Sequence, residues 1–412
     1  MNDLRNLADG ALLEAVQRQT FRYFWDGAHP ASGMARDRQR RGGKSDNDLI
    51  SLGGTGFGLM AIVVAVERGW VPRNDAMERI DRIVSFLEQV TRYHGMFPHF
   101  VHGRSGKTIR FTRKDDGGDC VETALLFQGL LCARQYLNRR SMAETRLREG
   151  INRLWRAIEW DWYCRDEEVL YWHWSPSFGW AMNCPVSGWN EGMLSYVLAA
   201  GSSTHPIRAS AYHNGFARDG QMCNGQSFYG IDLPLGPDHG GPLFLAQYSF
   251  CGLDPRRLRD RYAHYWQQNV AHTRINYEHC VRNPHGHSGY GEDCWGLTSG
   301  HGPYGYVAHA PDEDKGVITP SAALSSLPYT PVESMRALRC FLAKPLHRIW
   351  GSFGFFDSFS ENLSWFAQTY LAINQGPIIA MIENHRSGLL WELFMSAPEV
   401  REGLRRLGFV QV

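Results

Sequence analysis

Hydrophobic and polar positions divide the chain into about a dozen helical segments, separated by long Gly-, Pro- and aromatic-rich connections, with few stretches that alternate at the period of a strand. The periodicity predicts helices near 11–25, 56–68, 74–91, 120–138, 142–158, 188–200, 241–251, 255–281, 320–327, 331–343, 362–374 and 377–396. Start signals support three of them: Asn74 before Asp75, Asp254-Pro255, and Thr330-Pro331 with Glu333. Segments such as 142–158 and 255–281 are amphipathic and charged. Others, such as 56–68, 120–133 and 377–382, are apolar and rich in small residues. Charged helices alternating with apolar ones are what the outer and inner layers of a double ring require. The fold class predicted is all-α, a double ring of six helical hairpins inferred from helix number, with residues 1–412 as a single domain. No Ser/Gly-rich linker or charge block divides the chain, and no internal sequence repeat is evident. The long connections at 27–50, 95–118, 160–187, 217–240 and 283–319 are aromatic-laden, and long ordered loops commonly carry function.

Composition narrows the partner. Lys+Arg is 43 and Asp+Glu 42, a formal net charge of +1, so the chain offers no field for steering nucleic acid or an anionic bilayer. Neither nucleic acid nor membrane is expected as a partner, and the longest apolar run, Leu59 to Val66, is too short to span a bilayer. The 14 Trp exceed what an aliphatic core requires, and indole faces suit stacking on flat, uncharged ligands such as sugars, although any one Trp can equally be core. The 9 Cys, an odd number without regular spacing, read as scattered buried thiols. No signal peptide is legible at the start of the sequence.

Two stretches concentrate candidate chemistry. In Lys114-Asp-Asp-Gly-Gly-Asp-Cys-Val-Glu122, the residues Asp115, Asp119 and Glu122 are spaced i, i+4, i+7; Asp119 and Glu122 also form a capping box able to start a helix on its own account. A helix N-terminus favours the charged carboxylate, which suits positioning of substrate or water. From Leu170 to Glu191 the chain packs Trp172, His173, Trp174, Trp180, Trp189 and Asn190 ahead of Glu191. A carboxyl among indoles is pushed towards its neutral form, as a general acid requires, although Ser187 could cap a helix in which Glu191 is merely a first-turn acid. Asp115, Asp119 and Asp357, the last on an aromatic loop, are candidates for a second carboxylate that activates water; an Asp in a loop is also a common turn former. His279, Cys280, His285, His287 and Cys294 are metal-ligand types, but their spacing matches no zinc pattern, and no metal is expected. Gly53-Gly54-Thr55-Gly56-Phe57-Gly58 lacks the preceding strand of a nucleotide loop and reads as small residues for close helix packing.

Several blocks in order resemble the glucoamylase-like domain family that contains glycoside hydrolase family 144, the bacterial β-1,2-glucanases: Ser51–Gly58 through Trp70, Glu122-Thr-Ala-Leu-Leu, Tyr171-Trp-His-Trp-Ser-Pro, Gly188-Trp-Asn-Glu191, Asp260-Arg-Tyr, Cys294-Trp-Gly-Leu-Thr, Thr319-Pro-Ser-Ala-Ala and Gln375-Gly-Pro-Ile-Ile. The resemblance implies a single (α/α)6 barrel, a monomer, no cofactor, and inverting, endo-acting hydrolysis of linear β-1,2-glucan or sophoro-oligosaccharides. It implies that Asp115, Asp119, Glu122 and Glu191 matter for activity and binding. Trp172, His173, Trp174, Trp180, Trp189, Asn190 and Trp295 would contact a neutral glucan. A related fungal family uses a base acting through a substrate hydroxyl and a water relay, and Asp357 stands at the corresponding place. Family members are commonly exported, which implies a periplasmic location for a chain that has lost its leader and a cytoplasmic one for a chain complete as written. Related domains also transfer sugars, so transglycosylation, exo-action and non-catalytic glycan binding are the alternatives.

Overall fold

The computed structural model describes residues 4–42 and 48–411. Its helices in chain order are α1 (Asp9–Trp25), α2 (Leu52–Glu67), α3 (Arg73–Leu87), α4 (Cys120–Tyr136), α5 (Met142–Arg156), α6 (Met193–Gly201), α7 (Tyr265–Arg282), α8 (Pro320–Leu324), α9 (Pro331–Ala343), α10 (Leu346–Ile349), α11 (Ala372–Arg386), α12 (Leu389–Ser396) and α13 (Pro398–Arg406). The two helix types separate by depth as the sequence predicts. In α2 every residue from Leu52 to Ala65 is buried, in α4 every residue from Cys120 to Arg134, and all of α6 is buried. In α1, α3, α5 and α9 burial follows one face.

The buried elements meet in a circuit. Helix α2 packs on both α4 and α11, α4 on α6, and α11 on α8. The gap between α6 and α8 is filled by two 3₁₀ turns, Leu243–Ala246 and Ser249–Cys251. Their neighbours grip them through side chains: Gln128 Nε2 donates to the Ser249 carbonyl at 2.9 Å, Gln247 Nε2 to the Ala322 carbonyl at 2.9 Å, and Asn384 Nδ2 to the Cys251 carbonyl at 2.9 Å. Backbones touch where α2 crosses α4. A Cβ on Gly56 would stand 2.0 Å from the Leu125 carbonyl oxygen, and one on Gly129 would stand 1.9 Å from that of Gly56. The Gly-rich segment therefore serves close packing, as expected.

Several segments differ from the sequence reading: the 188–200 helix begins only at Met193, and 241–251 holds the two 3₁₀ turns in place of an α-helix. Residues 362–371 are not helical: Trp365–Phe366 pairs with Phe359–Ser360, and Thr369–Leu371 pairs with Arg38–Arg40, because aromatic and β-branched side chains there fill a pleated edge. Asp254-Pro255 opens only a 3₁₀ turn, Leu258–Arg259 pairs with Val410–Gln411, and α7 begins at Tyr265. The 377–396 segment starts earlier and divides at Gly388, whose φ of +76° ends the helical path between α11 and α12. Helix α3 starts at Arg73 behind Pro72, so Asn74 is no cap.

Candidate active site

The two chemistry-rich stretches are joined by a two-residue ladder in which Gly118 faces Trp174 and Asp119 faces His173, and the Cys120 N–H donates to the Trp172 carbonyl at 2.9 Å. Asp119 then starts α4. Its Oδ1 accepts the N–H groups of Val121 at 3.0 Å and Glu122 at 2.9 Å, and its Oδ2 accepts from His99 Nδ1 at 3.0 Å and Trp172 Nε1 at 3.3 Å. The capping box forms by half. Glu122 does not reach back to Asp119; its Oε2 accepts the Gly53 N–H at 2.7 Å, so its carboxyl sits on the amino end of α2 while its backbone belongs to α4.

Glu191 stands one residue before Gly192, which takes the N-cap place of α6; Ser187 instead bonds the Gly215 carbonyl at 2.7 Å. The turn is held by Asn190, whose Oδ1 accepts the Gly192 N–H at 2.8 Å, and by Ser249 Oγ on the Glu191 carbonyl at 2.8 Å. Glu191 and Glu122 line one cleft of about 310 Å³, with Trp172, His99, Phe111, Tyr306 and Asp37 among its other walls. Burial pushes the Glu191 carboxyl up to about 7, and the charges of Asp119 and Glu122 add to the rise. Burial likewise lifts Glu122 to about 7, against the pull of His99, whose Nε2 lies 3.9 Å from Glu122 Oε1. At His99, burial opposes the charge, but Glu122 and then Asp119 outweigh it and hold the imidazolium up to about 9. The cleft thus pairs two carboxyls balanced near neutrality with a fixed cation, an arrangement able to donate a proton to a leaving oxygen in a neutral polymer.

The other expected site residues fall elsewhere. Asp115 is buried with Oδ1 3.0 Å from His173 Nε2, and both stand behind the cleft wall. Asp357 is buried and filled: its Oδ2 accepts the His301 N–H at 2.6 Å and Oδ1 accepts Asn374 Nδ2 at 2.7 Å. Trp189 is 6% exposed and stacks on Tyr265 at 5.8 Å, so it is core. Trp295 is 0% exposed with its N–H on the Glu333 carbonyl, again core. Trp174 packs against Tyr93 and Trp162, and Trp180 against Tyr163 and Tyr171, away from the cleft lining. Cleft residues that sequence reasoning did not name include Asp37, His99, Phe111, Ser299 and Tyr306, from the long connections it flags, and Phe244 and Tyr248, from a segment it reads as a helix. Among the described residues, His99, Asp115 and Asp119 form one group with metal-ligand spacing, yet both oxygens of Asp119 are already occupied.

Comparison with known proteins follows from this geometry. Residues 183–398 match the glycoamylase family model, described as "Putative glucoamylase". A curated protein of Parabacteroides distasonis, an exo β-1,2-glucooligosaccharide sophorohydrolase (non-reducing end), is 42% identical over 97% of this chain; the chain spans 58% of that protein's length. The endo-β-1,2-glucanase of Chitinophaga pinensis, solved with sophorotriose and glucose, superposes with a TM-score of 0.96 at 48% identity, covering 98% of this chain and 99% of that one. The endo-β-1,2-glucanase of Talaromyces funiculosus, at 12% identity and a TM-score of 0.67 over 98% of this chain and 92% of that one, shares the fold.

Proposed function

The chain belongs to the glucoamylase-like family, and on that premise we propose that it is a glycoside hydrolase acting on linear β-1,2-glucan, endo-acting and inverting, with Glu191 as the general acid. The observation that carries the reading is the Glu191 carboxyl, lifted to about 7 by burial and opening into an aromatic-walled cleft. Protonated, it donates to the leaving glycosidic oxygen as the glycosidic bond breaks; water attacks the anomeric carbon from the opposite side of the sugar and passes its proton to a second carboxylate of the cleft acting as base. Glu122 and Asp37 are the other carboxylates lining the cleft, and Asp119 acts behind them by fixing His99 and Trp172. The exposed ring of Phe111, stacked on His99 at 4.4 Å, offers a flat face to a sugar at the rim. Endo-action is supported by the near-complete mutual coverage with the Chitinophaga pinensis enzyme.

The test is a product assay on β-1,2-, β-1,3-, β-1,4- and α-1,4-glucans. New reducing ends from the β-1,2 polymer alone, spread over several lengths and born with inverted anomeric configuration by NMR, support the reading. Release of nothing but a disaccharide would favour the second reading, exo-action like that of the Parabacteroides distasonis protein. No cleavage of any glucan would overturn both.

A further inference from the structure

Histidines in the last turn of α7 and just after it, which their spacing alone joins to nothing, converge with a distant acid. One ligating atom each from His279, His285 and Asp314 lies within 4.8 Å of the other two, outside the residues that line the cleft. His279 is 2% exposed and the Asp314 side chain 1%, whereas His285 is exposed and opens the group to solvent. His279 Nε2 faces Asp314 Oδ2 at 2.9 Å.

Behind them is a second layer of partners. The Tyr229 hydroxyl meets His279 Nδ1 at 3.0 Å, and Asp314 Oδ1 accepts from the Tyr290 hydroxyl at 2.8 Å and the Gly316 N–H at 2.9 Å. Outer partners of this kind fix the tautomer of a ligating imidazole and the aim of a ligating carboxylate. His287 stands close by, its Nε2 buried without a hydrogen bond and 3.4 Å from Asp314 Oδ1. Two imidazoles and a carboxylate, with the remaining side open to water, form the three-residue set that suits zinc-like divalent ions; calcium and magnesium prefer oxygen ligands throughout.

We propose that His279, His285 and Asp314 bind one divalent transition-metal ion of the zinc type, with solvent completing its coordination. Cys280 and Cys294, of ligand type in the same stretch of sequence, are buried in the core and take no part. The ion would tie the end of α7 to the segment that continues the hairpin Ser299–Gly302/Gly305–Ala308, whose Ser299 and Tyr306 line the cleft. Its role is therefore to brace a cleft wall. None of its ligands lines the cleft, so metal binding can be tested whether or not the proposed glucan reading holds.

An ordinary buried Asp–His pair would need only His279 and Asp314, so the solvent-facing His285 separates the two accounts. Full-length protein is stripped with EDTA, exchanged into metal-free buffer and titrated with ZnCl2, with bound metal counted by plasma mass spectrometry. About one zinc per chain is expected for wild type, with affinity falling at least about tenfold in His285→Ala, a surface change that leaves folding intact. Asp314→Asn, which keeps shape but removes charge, should lose binding as well. Cobalt should give visible absorption bands in wild type and not in His285→Ala. Uptake well below one equivalent, or binding unaltered in His285→Ala as it would be were zinc held by His99, Asp115 and Asp119, overturns the proposal.

Discussion

Replacing Glu191 by Gln removes a proton donor without changing shape, and the structure fixes how the loss should read out against pH. Lifting the carboxyl from 4.5 to about 7 corresponds to about 3 kcal/mol of preference for the neutral acid. Had it stayed at 4.5, only about 0.3% of molecules would carry the catalytic proton at pH 7; with the shift about half do, a gain of more than about 100-fold in active form. The profile of kcat/KM for soluble β-1,2-gluco-oligosaccharide should hold up to about pH 7 and then fall tenfold per pH unit, and Glu191→Gln should lose at least about a thousandfold below about pH 7, a gap that narrows above it as wild type loses the proton. Glu122 also rises to about 7, so the same profile is needed for Glu122→Gln. The descending limb should persist there and move slightly down, because the charge of Glu122 helps raise Glu191. Stability supplies the sign check. A carboxyl whose folded pKa is raised stabilises fully below about 4.5, and that contribution is lost as pH rises through about 7. Glu191→Gln, neutral throughout, should therefore be more stable than wild type at pH 8, by roughly 1–3 kcal/mol in urea unfolding. A limb near pH 4.5, or one that vanishes in Glu122→Gln and not in Glu191→Gln, would refute the assignment.

Gly56→Ala places a methyl into the Leu125 carbonyl and should destabilise by about 3 kcal/mol or prevent folding, measured by calorimetry. Trp295→Ala, in the core, should cost about 3–5 kcal/mol while leaving KM of the folded protein unchanged, whereas Trp172→Ala, on the cleft wall, should raise KM several-fold. His99 is held charged up to about 9, so the stability it contributes is complete below about 6.5 and lost as pH rises through about 9; the gap in urea midpoint between wild type and His99→Gln should close over that interval.

Layering was legible because it is written in helical periodicity: the uninterrupted apolar surface of 56–66 and the one-sided pattern of 142–156 need no tertiary information. The 362–374 segment was not, since its conformation is decided by pairing with Arg38–Arg40, more than three hundred residues earlier. Helix α13 begins at Ala397-Pro398-Glu399, a start signal that was present and went unread. In the site, Glu191 is legible as a carboxyl among indoles, and Glu122 by its spacing with Asp115 and Asp119 at a helix start. Asp37, His99 and Tyr306 carry no such signal, because they reach the cleft only when separate loops close over it. Trp189 and Trp295 show the converse: residue type cannot tell an indole that meets sugar from one that fills a core.

The crossing of α2 and α4, where Gly56 meets the backbone of Leu125, a residue that lines the cleft, leaves no slack. Glu122 is anchored at both ends, by its own helix and by the Gly53 amide of the next, so a shift of either helix against the other would carry its carboxyl with it. Phe111 and the Ser299–Ala308 hairpin come from loops and not from that crossing, so efforts to redirect the enzyme should graft those loops and leave the two helices untouched.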